Sequence, residues 1–363
     1  MTFGNTSTLP QTPPMEDDSA DFIDLRSDTV TQPTPAMYER MRSARLGDDG
    51  LDGDPTAREL EARTADLLGK QAGLYVPTAT MGNLLAVLAQ AGRQSQVVME
   101  STSHMFLTER GGATLCGVMY QGIAGVAGAM DLHALAQAVQ PGNSLRTELV
   151  CMETTHVNAG GTVLPLAHMQ SVCEIAQAAG ARVHIDGARI FNAAVALQVS
   201  VASVARFSDT VSVCLSKGLS APAGAVLVGP AETIARTRQL RKMLGGTQRQ
   251  IGVLAATGLE AVETMPQRLA QDHALARRLS DALGKIRPDR IGITRPASNI
   301  VFVELPTNVP DSQVWAQELK RHGVLIRPWG PRRIRLVTHR HIAPADIDAA
   351  ALGFQLAARS LLD

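Results

Sequence analysis

Between residues 73 and 229 the chain alternates short apolar runs with stretches of helical period, and that rhythm constrains the fold most. Runs at 74–77, 96–100, 117–121, 148–153, 182–186, 210–216 and 224–228 read as strands bounded by turn residues. Helical stretches near 80–92, 131–140, 166–180, 200–206 and 231–243 separate most of them. Parallel strands need crossovers of this length. The pattern therefore predicts an α/β chain built on a mostly parallel seven-stranded sheet, with helices on both faces. In such sheets ligands bind beyond the C-terminal ends of the strands.

The flanks read differently. Residues 1–20 are rich in Thr, Pro, Ser and acid and predict a disordered lead-in. An arm opens at Asp24, and Pro33 and Pro35 keep it extended before a helix at 36–45. A Gly/Asp loop at 47–56 leads to a helix at 57–70. A long helical stretch at 249–286 closes a large domain expected to span 21–286. Residues 287–363 then read β, β, α, β, β, α, a smaller α+β domain.

Composition excludes several functions. Lys+Arg and Asp+Glu are both 34, and aromatics are 3%, so neither a basic footprint nor a base-stacking surface points to nucleic acid. No apolar run is long enough for a bilayer, and the N-terminus lacks a secretory pattern. Cys116, Cys151, Cys173 and Cys214 show no CxxC spacing, which suits a reducing, cytoplasmic compartment. No His/Cys/Asp cluster has zinc spacing, so no metal is expected.

Chemistry concentrates at strand ends. The run at 210–216 closes on Ser216-Lys217-Gly218, and small residues follow from Ser220 to Gly224. A strand-end lysine is commonly a surface residue. An amine walled from water, however, is more easily left neutral, and a neutral amine can form a Schiff base. Asp186 ends the run at 182–186, followed by Gly187 and Arg189. Such a carboxylate either caps the next helix or keeps the ring nitrogen of pyridoxal phosphate protonated. Arg189 suits a planar anion. Thr78-Ala79-Thr80 opens a helix after a strand, a place that suits a phosphate or a simple cap. His104 and His156 both follow strands, where an imidazole can stack on a flat ring or take a proton.

Together these residues form a pattern: DLRSDT at 24–29, DPT at 54–56, SH at 103–104, ERGG at 109–112, ETTHVNAGG at 153–161, HIDGARIFNA at 184–193, LSKGL at 215–219, RKMLGG from 241 and RLVTH at 335–339. From about residue 22 to the C-terminus the chain resembles the pyridoxal-phosphate-dependent L-threonine aldolases, of fold type I (aspartate-aminotransferase-like). The resemblance implies Lys217 as the lysine that carries pyridoxal 5'-phosphate and Asp186 as the partner of its ring nitrogen. It implies His104 stacked on the ring, Arg189 near a ring oxygen or the substrate carboxylate, and Ala79 and Thr80 at the phosphate. Ser27 and Arg335 would hold the substrate carboxylate, and His156 would sit near the β-hydroxyl. Lys242 and Arg249 would reach into a neighbour's site within a homo-oligomer, usually a tetramer (a dimer of dimers).

The implied reaction cleaves a small β-hydroxy-α-amino acid to glycine and an aldehyde, with His156 or His104 as the base. β-Elimination or transamination on the same scaffold, and a binding protein that kept the fold, are the rival readings. The chain departs from the family at Ala79, where glycine is common, at Leu51 and Asp52, where an aromatic and a glycine are common, and at Thr247-Gln248, which break a glycine run.

Overall fold

The computed structural model describes residues 22–140, 142 and 144–363; the expected lead-in at 1–20 lies outside the described residues. The large sheet contains β1 (Ala72–Val76), β2 (Gln96–Glu100), β3 (Met119–Ile123), β4 (Thr147–Glu153), β5 (Arg182–Gly187), β6 (Thr210–Cys214) and β7 (Ala225–Gly229). Their spatial order is β1-β7-β6-β5-β4-β2-β3. All pairs are parallel except those of β7, which runs antiparallel to β1 and β6. The link from β6 to β7 is too short for a parallel crossover, so the chain folds straight back.

Alternation along the strands sends side chains to opposite faces. Val98, Val150, Ile185, Val211 and Val226 join one core, whereas Val97, Met99, Leu149 and Cys151 join a second and Leu74, Leu227 and Ala225 a third. Helices cover both faces, which is why whole strands are apolar and buried. The register sets Asp186 opposite Glu153 on one side and Ser212 on the other. Acidic residues at the ends of β2, β4 and β5 thus share one edge of the sheet.

A second sheet holds β8 (Gly292–Ile293), β9 (Ile300–Glu304), β10 (Arg327–Pro328) and β11 (Arg333–Val337), in the antiparallel order β8-β9-β11-β10. Trp315 and Phe354, from the helices Ser312–Arg321 and Pro344–Leu362, pack in its own core. The arm is stitched to this sheet. Ile23–Asp24 pairs with Val324–Leu325, and the Val337 N–H donates to the Leu25 carbonyl at 2.9 Å. That pairing places Ser27 and Asp28 beside the large sheet's edge.

Two expectations shift. The helical stretch at 249–286 is interrupted at Met265–Arg268, because Pro266 lacks an N–H and breaks the ladder. The strand expected at 324–327 splits in two: Val324–Leu325 serves the arm, and Arg327–Pro328 serves β11. All four cysteines are free, and no described helix is long and apolar enough to cross a membrane.

Candidate active site

At the C-terminal edge of the large sheet lies a cavity of about 220 Å³. Ser27, Ala79, Thr80, Asn83, His104, Glu109, Glu153, Asp186, Arg189, Lys217, Trp329 and Arg335 are among its walls. Both sheets and the arm contribute residues to its walls.

Asp186 is buried at the end of β5. One carboxylate oxygen accepts the Ala188 N–H at 3.0 Å, and the other accepts from Asn83 Nδ2 at 3.1 Å. Only glycine fits next in the chain: a Cβ at Gly187 would lie 2.8 Å from the Ser212 carbonyl. Asn83 also donates to Glu109, at 3.1 and 3.3 Å. Glu109 in turn meets His104 Nδ1 at 2.8 Å. The His104 backbone N–H donates to Glu153 at 2.7 Å, which fixes the turn after β2. The hydrogen bond from Glu109 raises the His104 pKa against the opposing effect of burial. Burial and the nearby Asp186 charge push the Glu109 carboxyl up.

Cations gather on the opposite wall. Arg189 grips Asp28 with two hydrogen bonds, Nε to Oδ2 at 2.7 Å and Nη2 to Oδ1 at 2.6 Å. Asp28 is fully buried. Burial disfavours its charge, but Arg189, Lys217 and Arg335 override that and hold the carboxyl well below the usual range. Arg335 is treated differently. It is 3% exposed, stacks 4.2 Å from the Trp329 ring centre, and gives Nη2 to the Arg26 carbonyl at 3.0 Å. Its Nε is buried with no hydrogen-bond partner among the described residues. Burial, with Arg189 and Arg327 close by, pulls Arg335 down to about 9. Asp28 offsets this only in part, and among the described residues Arg335 has no ion-pair partner of its own.

Lys217 follows β6, and its carbonyl accepts from Thr31 Oγ1 at 2.9 Å and from the Ser220 N–H at 2.8 Å. Among the described residues its ammonium has no hydrogen-bond or ion-pair partner, though it lines the cavity. The helix Ala79–Gln90 points its N-terminus at the same space. Thr78 caps the Met81 N–H, and among the described residues the Ala79 and Thr80 amides have no acceptor. Ala79 is absent from the positive-φ residues, so its methyl costs the backbone nothing. A free amine, a strand-end carboxylate, an imidazole and a helix N-terminus around one cleft fit pyridoxal phosphate, group by group.

Residues 24–307 match the beta-eliminating lyase family model. The chain is 42% identical to the probable low-specificity L-threonine aldolase 2 of Arabidopsis thaliana over 337 residues, covering 90% of this chain and 94% of that protein. The chain belongs to this family. It is also 36% identical to the low specificity L-threonine aldolase of Escherichia coli (strain K12), covering 89% of this chain and 95% of that one. The solved threonine aldolase of Leishmania major shares its fold, with a TM-score of 0.77 at 16% identity, covering 93% of this chain and 99% of that chain.

For a member of this family, the residues expected from the sequence divide into three groups. Lys217, Asp186, His104, Arg189, Ala79, Thr80, Ser27 and Arg335 converge on the cavity. His156 does not line it. Its side chain is fully buried behind the wall, with Nε2 3.0 Å from Glu100 and 3.8 Å from Glu153. Two acids at the ends of β2 and β4 draw the ring inward, and Glu100 raises its pKa against burial. Lys242 and Arg249 also lie elsewhere. Both are exposed; Arg249 approaches Asp48 at 3.5 Å, and Lys242 borders a separate cleft with Asp49 and Leu51. Leu51 is 77% exposed, so the altered loop stands clear of this chain's own cavity.

Sequence reading also misses residues. Asp28 and Glu109 sat inside quoted motifs without roles, and Asn83 lies one turn beyond Ala79 on the same helix face. His104, Glu109 and Asp186 bring ligand atoms within 4.8 Å of one another, a cluster that no sequence spacing reveals.

Proposed function

We propose that this chain is a pyridoxal-phosphate-dependent aldolase that cleaves small L-β-hydroxy-α-amino acids, threonine among them, to glycine and an aldehyde. The observation that carries the reading is Arg335: a buried guanidinium that lines the cavity beside Lys217 and has no ion-pair partner among the described residues. An amino-acid carboxylate supplies the missing anion.

Lys217 would hold the cofactor, Asp186 would face its ring nitrogen, and the Ala79 and Thr80 amides would hold its phosphate. When bound, the cofactor supplies an electron sink for charge released at the substrate's Cα. Arg335, held flat by Trp329, takes the substrate carboxylate beside Ser27. Arg189 keeps to Asp28, so it shapes the field around that carboxylate rather than surrendering its own partner. Fixing the carboxylate turns the Cα–Cβ bond toward the orientation in which it breaks. His104, whose Nδ1 is engaged by Glu109, offers its other nitrogen to the β-hydroxyl proton. His156, sequestered with Glu100 and Glu153, braces this wall.

A homo-oligomer gives Lys242 and Arg249 their place, in the cavity of a neighbouring copy. The exposed Met243 and Leu244 follow Lys242 in the chain, Leu51 lines the same cleft as Lys242, and these side chains suit a contact between copies. The free cysteines fit a cytoplasmic setting. The test is incubation with a panel of L-β-hydroxy amino acids, measuring glycine and aldehyde together. Equimolar release supports the reading. Pyruvate and ammonia, or a keto acid formed only with an amine acceptor, would replace it.

A further inference from the structure

Behind the cavity, five buried polar side chains run in series through the sheet. Gln90 Nε2 lies 3.0 Å from the Ala86 carbonyl and 2.8 Å from Thr210 Oγ1. Thr210 Oγ1 lies 2.9 Å from His184 Nδ1. His184 Nε2 lies 3.0 Å from Asn83 Oδ1, and Asn83 Nδ2 meets Asp186 at 3.1 Å and Glu109 at 3.1 Å. Gln90, Thr210, His184, Asn83 and Asp186 are all buried.

The direction of the protons in this series is set from its cavity end, and the Gln90 end is consistent with it. A backbone carbonyl only accepts, so the Gln90 group facing Ala86 is the amide NH₂. That NH₂ donates to Thr210 as well, so the Thr210 hydroxyl hydrogen is free to point at His184 Nδ1. At the far end, carboxylate oxygens accept, so the Asn83 group facing Asp186 and Glu109 is also NH₂. Its carbonyl must then accept from His184 Nε2. The cavity end demands the neutral tautomer with the proton on Nε2 and a lone pair on Nδ1, and the Gln90 end is compatible with it, because Thr210 can accept from Gln90 while donating to Nδ1. Burial supports neutrality, holding His184 down to about 4 against the opposing pull of Asp186 and of the Thr210 backbone.

We propose that Gln90, Thr210 and His184 form a one-way hydrogen-bond chain that locks the Asn83 amide with its NH₂ toward the cavity, making Asn83 a positioning residue for Asp186 and Glu109. The consequence is specific. Among the described residues Asn83 is the one group that bridges the carboxylate facing the cofactor ring and the carboxylate that engages His104. If its amide turned over, its oxygen would confront two carboxylates at hydrogen-bond distance. The chain makes that turn costly without placing any further charge in the site. The significance of the lock rests on the functional reading above; its existence does not.

Neutron crystallography of the purified full-length chain tests the lock directly. Hydrogen density on His184 Nε2, absent from Nδ1, with the Thr210 hydroxyl hydrogen toward Nδ1, is the expected result. Density on Nδ1, or on both nitrogens, overturns the proposal. This result does not depend on which reaction the protein performs, so failure to release glycine would count against the function and leave the lock standing. The link to the cavity is tested by Thr210→Val, which preserves shape and deletes the hydroxyl, beside Thr210→Ser, which keeps it. In an absorbance titration with pyridoxal phosphate, Thr210→Val should bind about fivefold more weakly, the worth of about one neutral hydrogen bond. Thr210→Ser should stay within about twofold of the parent. Equal affinity for Thr210→Val and the parent, or equal weakening in both variants, removes Asn83's positioning role.

Discussion

Replacing Asp28 by asparagine should destabilise this protein far more than the loss of one surface charge would. Among the described residues Asp28 is the sole ion-pair partner of Arg189, and it also faces Lys217 and Arg335. Asparagine keeps the shape and offers one acceptor, but its NH₂ then faces an Arg189 N–H, donor against donor. Two buried guanidiniums and a lysine are left around a neutral amide. Removing one partner of a buried pair costs about 3–5 kcal/mol, because the surviving charge stays desolvated. At about 2 °C per kcal/mol for a chain of this size, the melting temperature should fall by roughly 6–10 °C.

The sign with pH follows from the depressed carboxyl. A folded pKa below the unfolded value of about 3.9 stabilises the native state at all higher pH, and that stability fades only as pH falls below about 4. The gap between parent and Asp28→Asn in thermal melts should therefore be constant from about pH 5.5 to pH 8. A gap under about 2 °C, or one that changes across that window, would refute the argument that this pair is charged and uncompensated.

Other expectations can be checked alongside. Arg335→Gln should raise KM for the amino acid at least about tenfold with a smaller change in kcat, the loss of one charge-assisted carboxylate contact; an unchanged KM would move the carboxylate elsewhere. Glu109→Gln replaces the carboxylate that raises His104 with a neutral amide acceptor, so the acidic limb of the kcat/KM profile should move to lower pH, and a limb that stays put would exclude His104 as the base. Asp186→Ala should keep some cofactor yet lose most of the rate, and parental turnover would contradict its role opposite the ring nitrogen. His156→Asn should lower the melting temperature by stranding Glu100 and Glu153 while leaving KM nearly unchanged; a large rise in KM at parental stability would return His156 to the substrate.

The sheet was legible because period-2 burial on both faces writes nearly continuous apolar strands, and the structure departs from those boundaries by a residue or two. Lys217 and Asp186 were legible for a related reason: charged residues at the ends of such runs have nowhere to go but the C-terminal edge. What stayed hidden depends on distance in sequence. Asp28 meets Arg189 across 161 positions, and Asn83 meets Asp186 across 103. No local pattern carries such pairings. His156 misled because a histidine after a strand looks the same whether its ring turns to the cleft or inward. The deciding fact, two acids at the ends of β2 and β4, belongs to strand register.

The account turns on Lys217 standing free at the cavity edge opposite Asp186. The chain has five lysines: Lys70, Lys217, Lys242, Lys285 and Lys320. Borohydride reduction of the protein with pyridoxal phosphate, followed by peptide mass spectrometry, fixes the cofactor to whichever lysine holds it. Stoichiometric phosphopyridoxyl label on Lys217, lost when Asp186 and Lys217 are both replaced, is the predicted result. Label spread over the other four lysines, or none at Lys217, would contradict it.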